Sequence, residues 1–377
     1  MAVATWIDRP EALADAAARW QASDADVALD TEFVFERTYR PRLGIIQLAV
    51  AGEIALIDGV RLRDLSALGP LLADSRRRKL LHSGSGDIPI LRRAGGAALH
   101  GLLDTQIAAA FAGLGPSLSY AALVKILLGV ELAKHETRTD WTRRPLSPDQ
   151  LRYAAEDVEY MPGVAAALEE QLRILGRFEW ALEDSAALAA NDGDTPDPAV
   201  AWRRVKGIDR LNTSSRAVAR VLAAWREREA ELADLARPFL LRDETLVALA
   251  KRDALVQADA AALPGYDGRR HAHLTPRWAA ALQAARAEVE AGTAPVEDPR
   301  TPPEIRDRLE AIGVRVAALV TQKATELGLT AELLLSRRQR ERAIETWLRT
   351  GGSLAAALGG FRGALLGAEL DALTVEG

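Results

Sequence analysis

The chain has 377 residues, a formal net charge of −5 at pH 7 and no cysteine. Its length predicts two or three domains with full-sized cores. The lack of cysteine excludes disulfides, zinc thiolate sites and thiol nucleophiles, and it agrees with a reducing cytoplasm. A metal ion must therefore be held by oxygen or nitrogen ligands. The acidic net charge argues against nucleic-acid binding that is driven by the net charge of the whole chain.

The N-terminal segment MAVATWIDRPEALADAAARW carries acidic side chains in an amphipathic pattern. A secretory signal peptide has a basic segment followed by an apolar one, so this pattern predicts none. No apolar run approaches the roughly 20 residues that a transmembrane helix needs. We expect a soluble, cytoplasmic protein that has no membrane partner and requires no obligate protein partner.

Two stretches rich in proline, aspartate and glycine interrupt the helical patterning of the chain. They are NDGDTPDP at Asn191–Pro198 and AGTAPVEDPRTPPE at Ala291–Glu304, and both compositions are typical of linkers. The linkers predict three domains, at residues 1–192, 199–290 and 300–377.

The first domain alternates short apolar runs with amphipathic segments. In chain order, the runs predicted as strands are ADVALDT, RLGIIQLAVAG, EIALIDG, RKLLHSG and ALHGLLDT, with helices between and after them. Gly52–Glu53 lies between the second and third runs and predicts a hairpin. We therefore expect an α/β domain with a mixed sheet flanked by helices, in which the first three strands form an antiparallel meander and parallel strands follow.

Beyond Ala199 the strand signals end, and Ala/Leu/Arg segments at helical spacing predict two small all-α domains. REAELADLARPFLLRDETLVALA in the first loosely parallels TQKATELGLTAELLLSRRQRERA in the second. Each pattern predicts a long helix, then a short break near Pro238 or Gly328, and then Leu-rich helical turns. The pattern fits an internal repeat, and it equally fits two unrelated helical bundles.

The stretch VALDTEF, Val27–Phe33, places two carboxylates in an apparently buried strand. Residues at i and i+2 of a strand share a face, so Asp30 and Glu32 stand side by side. Two desolvated carboxylates repel each other and raise each other's pKa. A bound cation or a distant basic group would relieve this repulsion; the alternative is a strand end whose acids are solvated or capped.

Three further candidate side chains follow later in the first domain. Asp87 lies after LLHSGSG, on a turn that opens a helix. Tyr153 and Asp157 are four residues apart on a helix whose start is marked by Ser147, Pro148 and Gln150, a capping-box pattern, so the phenol and the carboxylate share a face. Taken singly, each has an ordinary structural explanation, as a first-turn acid or as a hydrogen-bonding pair.

Together these positions place four carboxylates and a tyrosine in one cysteine-free domain. Four acids in one site require divalent cations, and oxygen ligands favour Mg²⁺ or Mn²⁺. Two such ions about 3.5–4 Å apart can clamp the attacking and leaving oxygens of a phosphoryl displacement. The residues therefore predict a two-metal phosphodiester hydrolase.

The ordered set resembles the DEDD exonucleases with a tyrosine in the last motif, and specifically the bacterial ribonuclease D family. DTEFVFERTYRPRLGIIQLA, LLHSGSGD, LLDTQIAAAFAG and RTDWTRRPLSPDQLRYAAEDVEYM carry the resemblance, and the two helical regions are placed as that family's paired HRDC domains. The resemblance implies an RNase H-like catalytic domain. It also implies a metal-dependent 3′→5′ exoribonuclease that releases 5′-monophosphates from RNA 3′ ends, notably those of tRNA precursors.

Carried over to this chain, the resemblance assigns the catalytic set to Asp30, Glu32, Asp87, Asp157 and Tyr153. We hypothesise that Asp30, Glu32 and Asp157 hold the metal ion that activates the water. Asp30 and Asp87 would complete the second metal site. Tyr153 would orient the attacking water, since a phenol with a pKa near 10 is a poor base at neutral pH. The chain has a glycine directly before Asp87, where the family commonly has an acid.

Arg37, Tyr39, Gln47 and Arg138 are the candidates for substrate binding. A frayed RNA 3′ end needs stacking and phosphate contacts, and these side chains lie near the first two strands or before the Tyr153 helix. Each has an alternative role as an ion pair, a strand aromatic or a sheet amide. Two alternative functions of the protein stay open: it could be a DNA-directed 3′→5′ exonuclease or a non-catalytic RNA-binding adaptor.

Overall fold

A mixed β-sheet organises the part of the chain for which an α/β domain is predicted. The computed structural model describes residues 4–132, 139–191, 197–295 and 303–375. Within these ranges the strands are β1 (Thr5–Ile7), β2 (Val27–Val34), β3 (Arg42–Val50), β4 (Glu53–Asp58), β5 (Lys79–Leu81) and β6 (Leu102–Asp104). Their order across the sheet is β1-β4-β3-β2-β5-β6. Strand β3 is antiparallel to β4, whereas the pairs β1/β4, β2/β5 and β5/β6 are parallel.

The five predicted strands are confirmed as β2 to β6. Strand β1 was missed because three residues are too few to show a period-2 pattern. The predicted hairpin joins β3 to β4: Val50 pairs with Glu53, and the turn residues Ala51 and Gly52 have φ angles of 51° and 84°. Two positive φ angles are what a two-residue type I′ turn requires, and its twist matches that of the flanking strands.

The chain divides into two units. The first unit comprises Met1–Phe33, Leu43–Asn191 and Thr301–Gly377, and the second comprises Val34–Arg42 and Asp192–Arg300. The first unit therefore contains the sheet together with the C-terminal helical region.

Helices cover both faces of the sheet in the first unit. Those before the first linker are α1 (Pro10–Gln21), α2 (Gly69–Ala73), α3 (Asp87–Gly95), α4 (Thr105–Phe111), α5 (Tyr120–Leu128), α6 (Pro148–Glu159), α7 (Met161–Ile174) and α8 (Phe178–Ala190). Leu29 of β2 packs on one face with Trp20 of α1, whereas Ala28 packs on the opposite face with Phe111 of α4 and Leu168 of α7. The alternation along β2 thus assigns neighbouring residues to two separate cores.

The second unit is helical in its larger segment. Its helices are α9 (Thr213–Leu232), α10 (Arg237–Leu240), α11 (Asp243–Ala250), α12 (Gly268–His271) and α13 (Thr275–Glu290). Leu222, Leu246 and Trp278 are at most 1% exposed and form the centre of its core. Such a buried stripe on each helix is what the Ala/Leu spacing predicts.

The segment between β2 and β3 belongs to this second unit. Tyr39 is 5% exposed, and its hydroxyl donates a hydrogen bond to Glu227 on α9. The backbone N–H of Tyr39 donates to Asp234, 3.2 Å away, and the backbone N–H of Ala236 donates to the carbonyl of Arg37 at 2.8 Å. Side-chain and backbone bonds together hold the segment against the end of α9.

The C-terminal helices share the core of the first unit. They are α14 (Pro303–Leu327), α15 (Ala331–Leu334), α16 (Arg337–Thr350), α17 (Leu354–Leu358) and α18 (Gly360–Val375). Phe361 stacks on Trp180 of α8 with a centroid distance of 4.9 Å. Arg362 donates two hydrogen bonds to Asp184, of 2.6 and 2.8 Å. Apolar stacking and a bidentate ion pair therefore join α18 to α8.

The same succession of helices occurs in both helical regions. A long helix, a four-residue helix and a third helix follow one another as α9, α10 and α11, and again as α14, α15 and α16. This agrees with the loose parallel between the two sequences. No helix in the described ranges combines the length and apolar character needed to cross a bilayer.

Replacing Arg362 with alanine should destabilise the first unit. The side chain is 7% exposed, and besides Asp184 it donates to the carbonyls of Leu333 and Leu334. Its removal leaves a partly buried carboxylate without its cation, for which we expect a loss of about 3 kcal/mol in the free energy of unfolding. Urea denaturation followed by tryptophan fluorescence measures this change.

Arg349→Ala is the matched control for that substitution. Arg349 forms an exposed pair with Glu345 one helical turn away, and such pairs contribute little to stability. Equal urea midpoints for Arg362→Ala and Arg349→Ala would show that the pair between α18 and α8 contributes nothing.

Candidate active site

Strand β2 presents its two acids on one face of the sheet. Asp30 and Glu32 follow Ala28 at intervals of two residues, so all three share the face that α4 and α7 cover. Leu29 packs into the core on the other face. The side-by-side arrangement predicted from VALDTEF is the one that the strand adopts.

Helix α6 begins where the sequence predicts it. The Ser147 hydroxyl accepts a 3.1 Å hydrogen bond from the N–H of Gln150, whose side chain accepts a 2.9 Å bond from the N–H of Ser147. This capping box sets the phase of the helix. One turn of α6 separates Tyr153 from Asp157, and the phenol and the carboxylate are hydrogen-bonded.

Three of the predicted acids converge in the fold. One carboxylate oxygen from each of Asp30, Glu32 and Asp157 lies within 4.8 Å of the other two. Residues more than 120 positions apart in the sequence thus meet because α6 packs over the face of the sheet that bears the β2 acids.

The fourth acid, Asp87, is held by two side chains that sequence reasoning missed. The hydroxyl of Thr31, which lies between the two acids of β2, donates a hydrogen bond to Asp87. Asp104 accepts bonds from the N–H groups of Ser83 and Gly84, at 3.2 and 2.8 Å, in the turn that leads to Asp87. Two features of the sequence could have indicated these residues. Thr31 is a polar residue between the two acids of the strand, and Asp104 lies where a strand is followed by a helix.

Asp104 also caps α4. Its carboxylate accepts hydrogen bonds from the N–H groups of Gln106 and Ile107. One buried carboxylate therefore holds both the start of a helix and the turn that carries a catalytic candidate.

The electrostatics of the cluster oppose ionisation. Burial, followed by the charges of Asp87, Asp157 and Glu32, raises the pKa of Asp30 well above its usual range. Burial is also the main cause that raises the pKa of Glu32 to about 8, that of Asp157 to about 7 and that of Asp87 to about 6. Without a cation these carboxylates take up protons near neutral pH, because the charged forms repel one another in a poorly hydrated site.

Two tyrosines near the acids are held in the neutral form. Burial and the charge of Asp157 raise the pKa of Tyr153, and the same two causes raise the pKa of Tyr120. At neutral pH each phenol therefore keeps its proton and cannot act as a base; Tyr153 is hydrogen-bonded to Asp157. Tyr120, at the start of α5, was not identified from the sequence.

The chemistry of this donor set fits a divalent cation. Asp157 Oδ2 is buried and has no hydrogen-bond partner among the described residues. An unpartnered carboxylate oxygen beside two other carboxylates is a costly arrangement unless a cation accepts its lone pairs. Oxygen-only ligands of this kind suit hard ions.

The chain matches two protein families. Residues 4–173 match the 3′-5′ exonuclease family, and residues 215–282 match the HRDC domain family. The ribonuclease D of Cronobacter turicensis is 35% identical over 356 residues, which cover 92% of this chain and 94% of that protein. The ribonuclease D of Xanthomonas oryzae pv. oryzae is 37% identical over 377 residues, 97% of each. This chain belongs to the ribonuclease D family.

A solved structure agrees with this membership. The crystal structure of Escherichia coli RNase D, an exoribonuclease involved in structured RNA processing, has a TM-score of 0.86 and 32% identity, and 99% of each chain is covered. The predicted resemblance to ribonuclease D, with an exonuclease domain and an HRDC domain, is therefore confirmed. The protein is a ribonuclease D-like 3′→5′ exoribonuclease, a hydrolase whose acid cluster indicates dependence on divalent metal.

The candidate substrate-binding residues have different environments in the structure. Arg37 is exposed, so its role in substrate binding stays a prediction. Tyr39 is buried with its hydroxyl bonded to Glu227, and Gln47 is completely buried on β3. Their roles in substrate binding also stay predictions. Arg138 lies outside the described residues.

A buried ion pair between Arg144 and Asp58 anchors the loop before α6, and local sequence patterns do not predict this pairing. Arg144 donates hydrogen bonds of 2.9 and 2.6 Å to Asp58, which is 1% exposed, and a 2.9 Å bond to the carbonyl of Gly44 on β3. Its remaining terminal nitrogen donates to the carbonyl of Trp141 at 2.8 Å. One guanidinium thus ties β3, the end of β4 and the loop together.

This anchor contacts Tyr153 through a tryptophan. Trp141 is 3% exposed, and its ring centroid lies 6.0 Å from that of Tyr153. The backbone of Gly44 approaches Trp141 so closely that a Cβ would come within 2.6 Å of the tryptophan carbonyl. The position of the Tyr153 ring therefore depends on Arg144.

The acid cluster should make the metal-free protein less stable at higher pH. The pKa values of Glu32, Asp157 and Asp87 are higher in the folded state than near 4 in the unfolded chain. The folded state therefore binds more protons, and stability decreases as pH rises from about 4 to about 8. In EDTA we expect the Tm to fall by about 5 °C or more over this range, measured by calorimetry.

Two comparisons isolate the contribution of the cluster. Adding Mg²⁺ or Mn²⁺ at pH 8 should raise the Tm, because a bound cation removes the repulsion. Asp30→Asn should show a smaller pH dependence in EDTA than the wild type. A wild-type Tm that is constant or rises between pH 5 and pH 8 in EDTA would contradict the electrostatic account.

Loss of the Arg144 anchor should lower the rate of RNA hydrolysis through Tyr153. Arg144→Lys keeps the charge and loses the bidentate geometry, and we expect kcat to be about 10- to 100-fold lower with a nearly unchanged KM. In a double-mutant cycle, adding Tyr153→Phe should have little further effect, since both changes disturb the same group.

Arg143→Lys, in the exposed neighbouring position, serves as the control and should match the wild type. Asp58→Asn removes the partner of Arg144 with little change of shape, and it should reproduce the lower kcat. Effects of Arg144→Lys and Tyr153→Phe that multiply would mean that the ion pair acts independently of the tyrosine.

Proposed function

We propose that the protein removes single nucleotides as 5′-monophosphates from RNA 3′ ends, including those of tRNA precursors, with two divalent metal ions. The observation that carries this proposal is the convergence of Asp30, Glu32 and Asp157 within 4.8 Å. Asp87 is linked to the same strand through Thr31. Three converging carboxylates, with a fourth bonded to the same strand, form a set of oxygen ligands suited to divalent cations.

The proposed ligand sets follow from the grouping of the acids. Asp30, Glu32 and Asp157 would hold one ion, and Asp30 with Asp87 would hold the other. Bound Mg²⁺ or Mn²⁺ would lower the pKa of the attacking water and offset the charge that develops on the phosphate and the leaving 3′ oxygen.

Tyr153 has a positioning role in this proposal. Its hydroxyl stays protonated at neutral pH, because burial and Asp157 raise its pKa. In this proposal the phenol does not act as a base. It would orient the attacking water by hydrogen bonding. Attack of the water oxygen on the terminal phosphorus breaks the P–O3′ bond, so the products are a nucleoside 5′-monophosphate and an RNA with a new 3′ hydroxyl.

The proposed architecture has three parts. Residues 1–192 form the exonuclease domain of the tyrosine-containing DEDD type, and residues 199–290 and 300–377 form two HRDC-like regions. The match of residues 215–282 to the HRDC family and the repeated helix succession support this division. The tRNA precursor substrate is supported by the family, and the cytoplasmic location stays a prediction from the sequence.

Digestion of an RNA with a labelled 5′ end tests the proposal. A single-stranded RNA and a DNA of the same sequence are incubated with the full chain in Mg²⁺, in Mn²⁺ or in EDTA. We expect a ladder that shortens from the 3′ end of the RNA, release of 5′-monophosphates and no cleavage in EDTA. Asp30→Asn should lower kcat by at least about 10³-fold, and Tyr153→Phe by about 10- to 100-fold.

Glu159→Gln is the control, since this acid lies on the same helix as Asp157 but outside the cluster. It should digest RNA at the wild-type rate. Faster digestion of DNA than RNA would identify the protein as a DNA-directed exonuclease. Binding of RNA without shortening in either ion would leave only a non-catalytic adaptor.

A further inference from the structure

Tyr120 is the first residue of α5, and its ring is held in place by its surroundings. The Ser119 hydroxyl caps the helix by accepting a 3.3 Å hydrogen bond from a backbone N–H. The centroid of the His82 ring lies 5.6 Å from that of the Tyr120 ring. His82 is itself fixed, since Nδ1 lies 2.9 Å from the Thr105 hydroxyl and Nε2 lies 3.0 Å from the Leu118 carbonyl. The Tyr120 ring therefore has a defined position in the fold.

The hydroxyl at the end of this ring lacks a hydrogen-bond partner. It is buried, and none of the described residues accepts its proton. Removing a hydroxyl from water without giving it a partner lowers the stability of the folded protein. A phenylalanine in the same position would avoid that cost, so packing of the ring does not explain why the residue is a tyrosine.

The acids of the cluster act on this hydroxyl. Burial raises the pKa of Tyr120, and the charges of Asp157 and Asp30 raise it further. Helices α5 and α6 share a core, in which Leu123 of the first packs with Val158 of the second. The Oδ2 atom of Asp157 is also buried and without a partner among the described residues. One region of the site thus contains a buried donor and a buried acceptor, neither of which is satisfied.

A metal-binding Asp157 requires a hydrogen-bond donor besides Tyr153. The Tyr153 hydroxyl is hydrogen-bonded to Asp157 in the structure, but the proposed function also gives it the task of orienting the attacking water. A phenol has a single O–H proton. Carboxylates that bind metal ions are held in orientation by hydrogen bonds from residues behind them. A second tyrosine near Asp157 could supply such a bond.

We propose that Tyr120 is a positioning residue for metal binding. Its hydroxyl donates a hydrogen bond to Asp157, directly or through one water molecule, when this carboxylate holds a metal ion. The bond stabilises the ionised carboxylate, so that Tyr153 can bond to the attacking water. The proposal rests on the proposed function in that Asp157 is a metal ligand, and it adds a residue to the five that the family resemblance assigns.

Tyr120→Phe tests this inference, because it removes one oxygen atom and keeps the ring. The probe is Mn²⁺, titrated into the full-length metal-free protein while electron paramagnetic resonance measures the free ion. We expect the Kd for Mn²⁺ to rise about 10-fold, as for the loss of other residues that orient metal ligands. At low Mn²⁺ the rate of RNA hydrolysis should fall by a similar factor with an unchanged KM for RNA. Saturating Mn²⁺ should restore most of kcat.

Thermal unfolding separates this role from a purely structural one. In EDTA, Tyr120→Phe should unfold at the wild-type Tm or above it, because the variant loses no hydrogen bond. With Mn²⁺ well above the Kd of both proteins, the rise in Tm should be about 3 °C smaller for the variant, as a tenfold weaker site requires.

Tyr160→Phe is the matched control for both measurements. It removes the same atom from a tyrosine at the end of α6, where the neighbouring charges are Glu159 and Glu156 rather than the acids of the cluster. Its Kd for Mn²⁺ and its Mn²⁺-induced rise in Tm should equal those of the wild type.

Equal Mn²⁺ affinities for Tyr120→Phe and Tyr160→Phe would overturn the inference. A lower Tm in EDTA together with the full Mn²⁺-induced rise would also overturn it, since that pattern indicates a structural role alone. If the wild type degrades RNA while Tyr120→Phe behaves as the control, only the inference about Tyr120 fails. A wild type that binds no Mn²⁺ overturns the inference together with the metal-dependent function. Weaker Mn²⁺ binding by Tyr120→Phe in a protein that never shortens RNA supports the inference and contradicts the exonuclease proposal.

Discussion

Repulsion among closely spaced carboxylates is the constraint on which the rest of the structure depends. Asp30, Glu32 and Asp157 have oxygens within 4.8 Å of one another, and burial together with their charges raises their pKa values. A fold that held these groups only loosely would let them separate into water. The arrangement persists because β2 and α6 are themselves fixed by large apolar cores, so the side chains must share one poorly hydrated site until a cation relieves them.

Hydrogen bonds outside the cluster position each catalytic candidate. Thr31 holds Asp87, and Asp104 holds the turn that leads to it. Ser147 sets the start of the helix that bears the tyrosine, and Arg144 ties the preceding loop to the sheet. These contacts are made by two hydroxyl groups, by the buried carboxylate of Asp104 and by the Arg144–Asp58 ion pair. The geometry of the site is therefore built before a metal or a substrate arrives, as electrostatic preorganisation requires.

The sequence by itself determined the features that depend on local periodicity. The strand acids and the pairing of Tyr153 with Asp157 follow from the repeats of strand and helix, and so do the helix start and the hairpin. Their order along the chain was specific enough to identify the family. Contacts between distant segments were beyond such reasoning. Only the tertiary structure decided that Tyr39 is buried against α9, and that Arg144 pairs with Asp58. An isolated arginine or tyrosine has the same local pattern whether it faces solvent, a substrate or a buried partner, because its environment is set by packing between elements far apart in sequence.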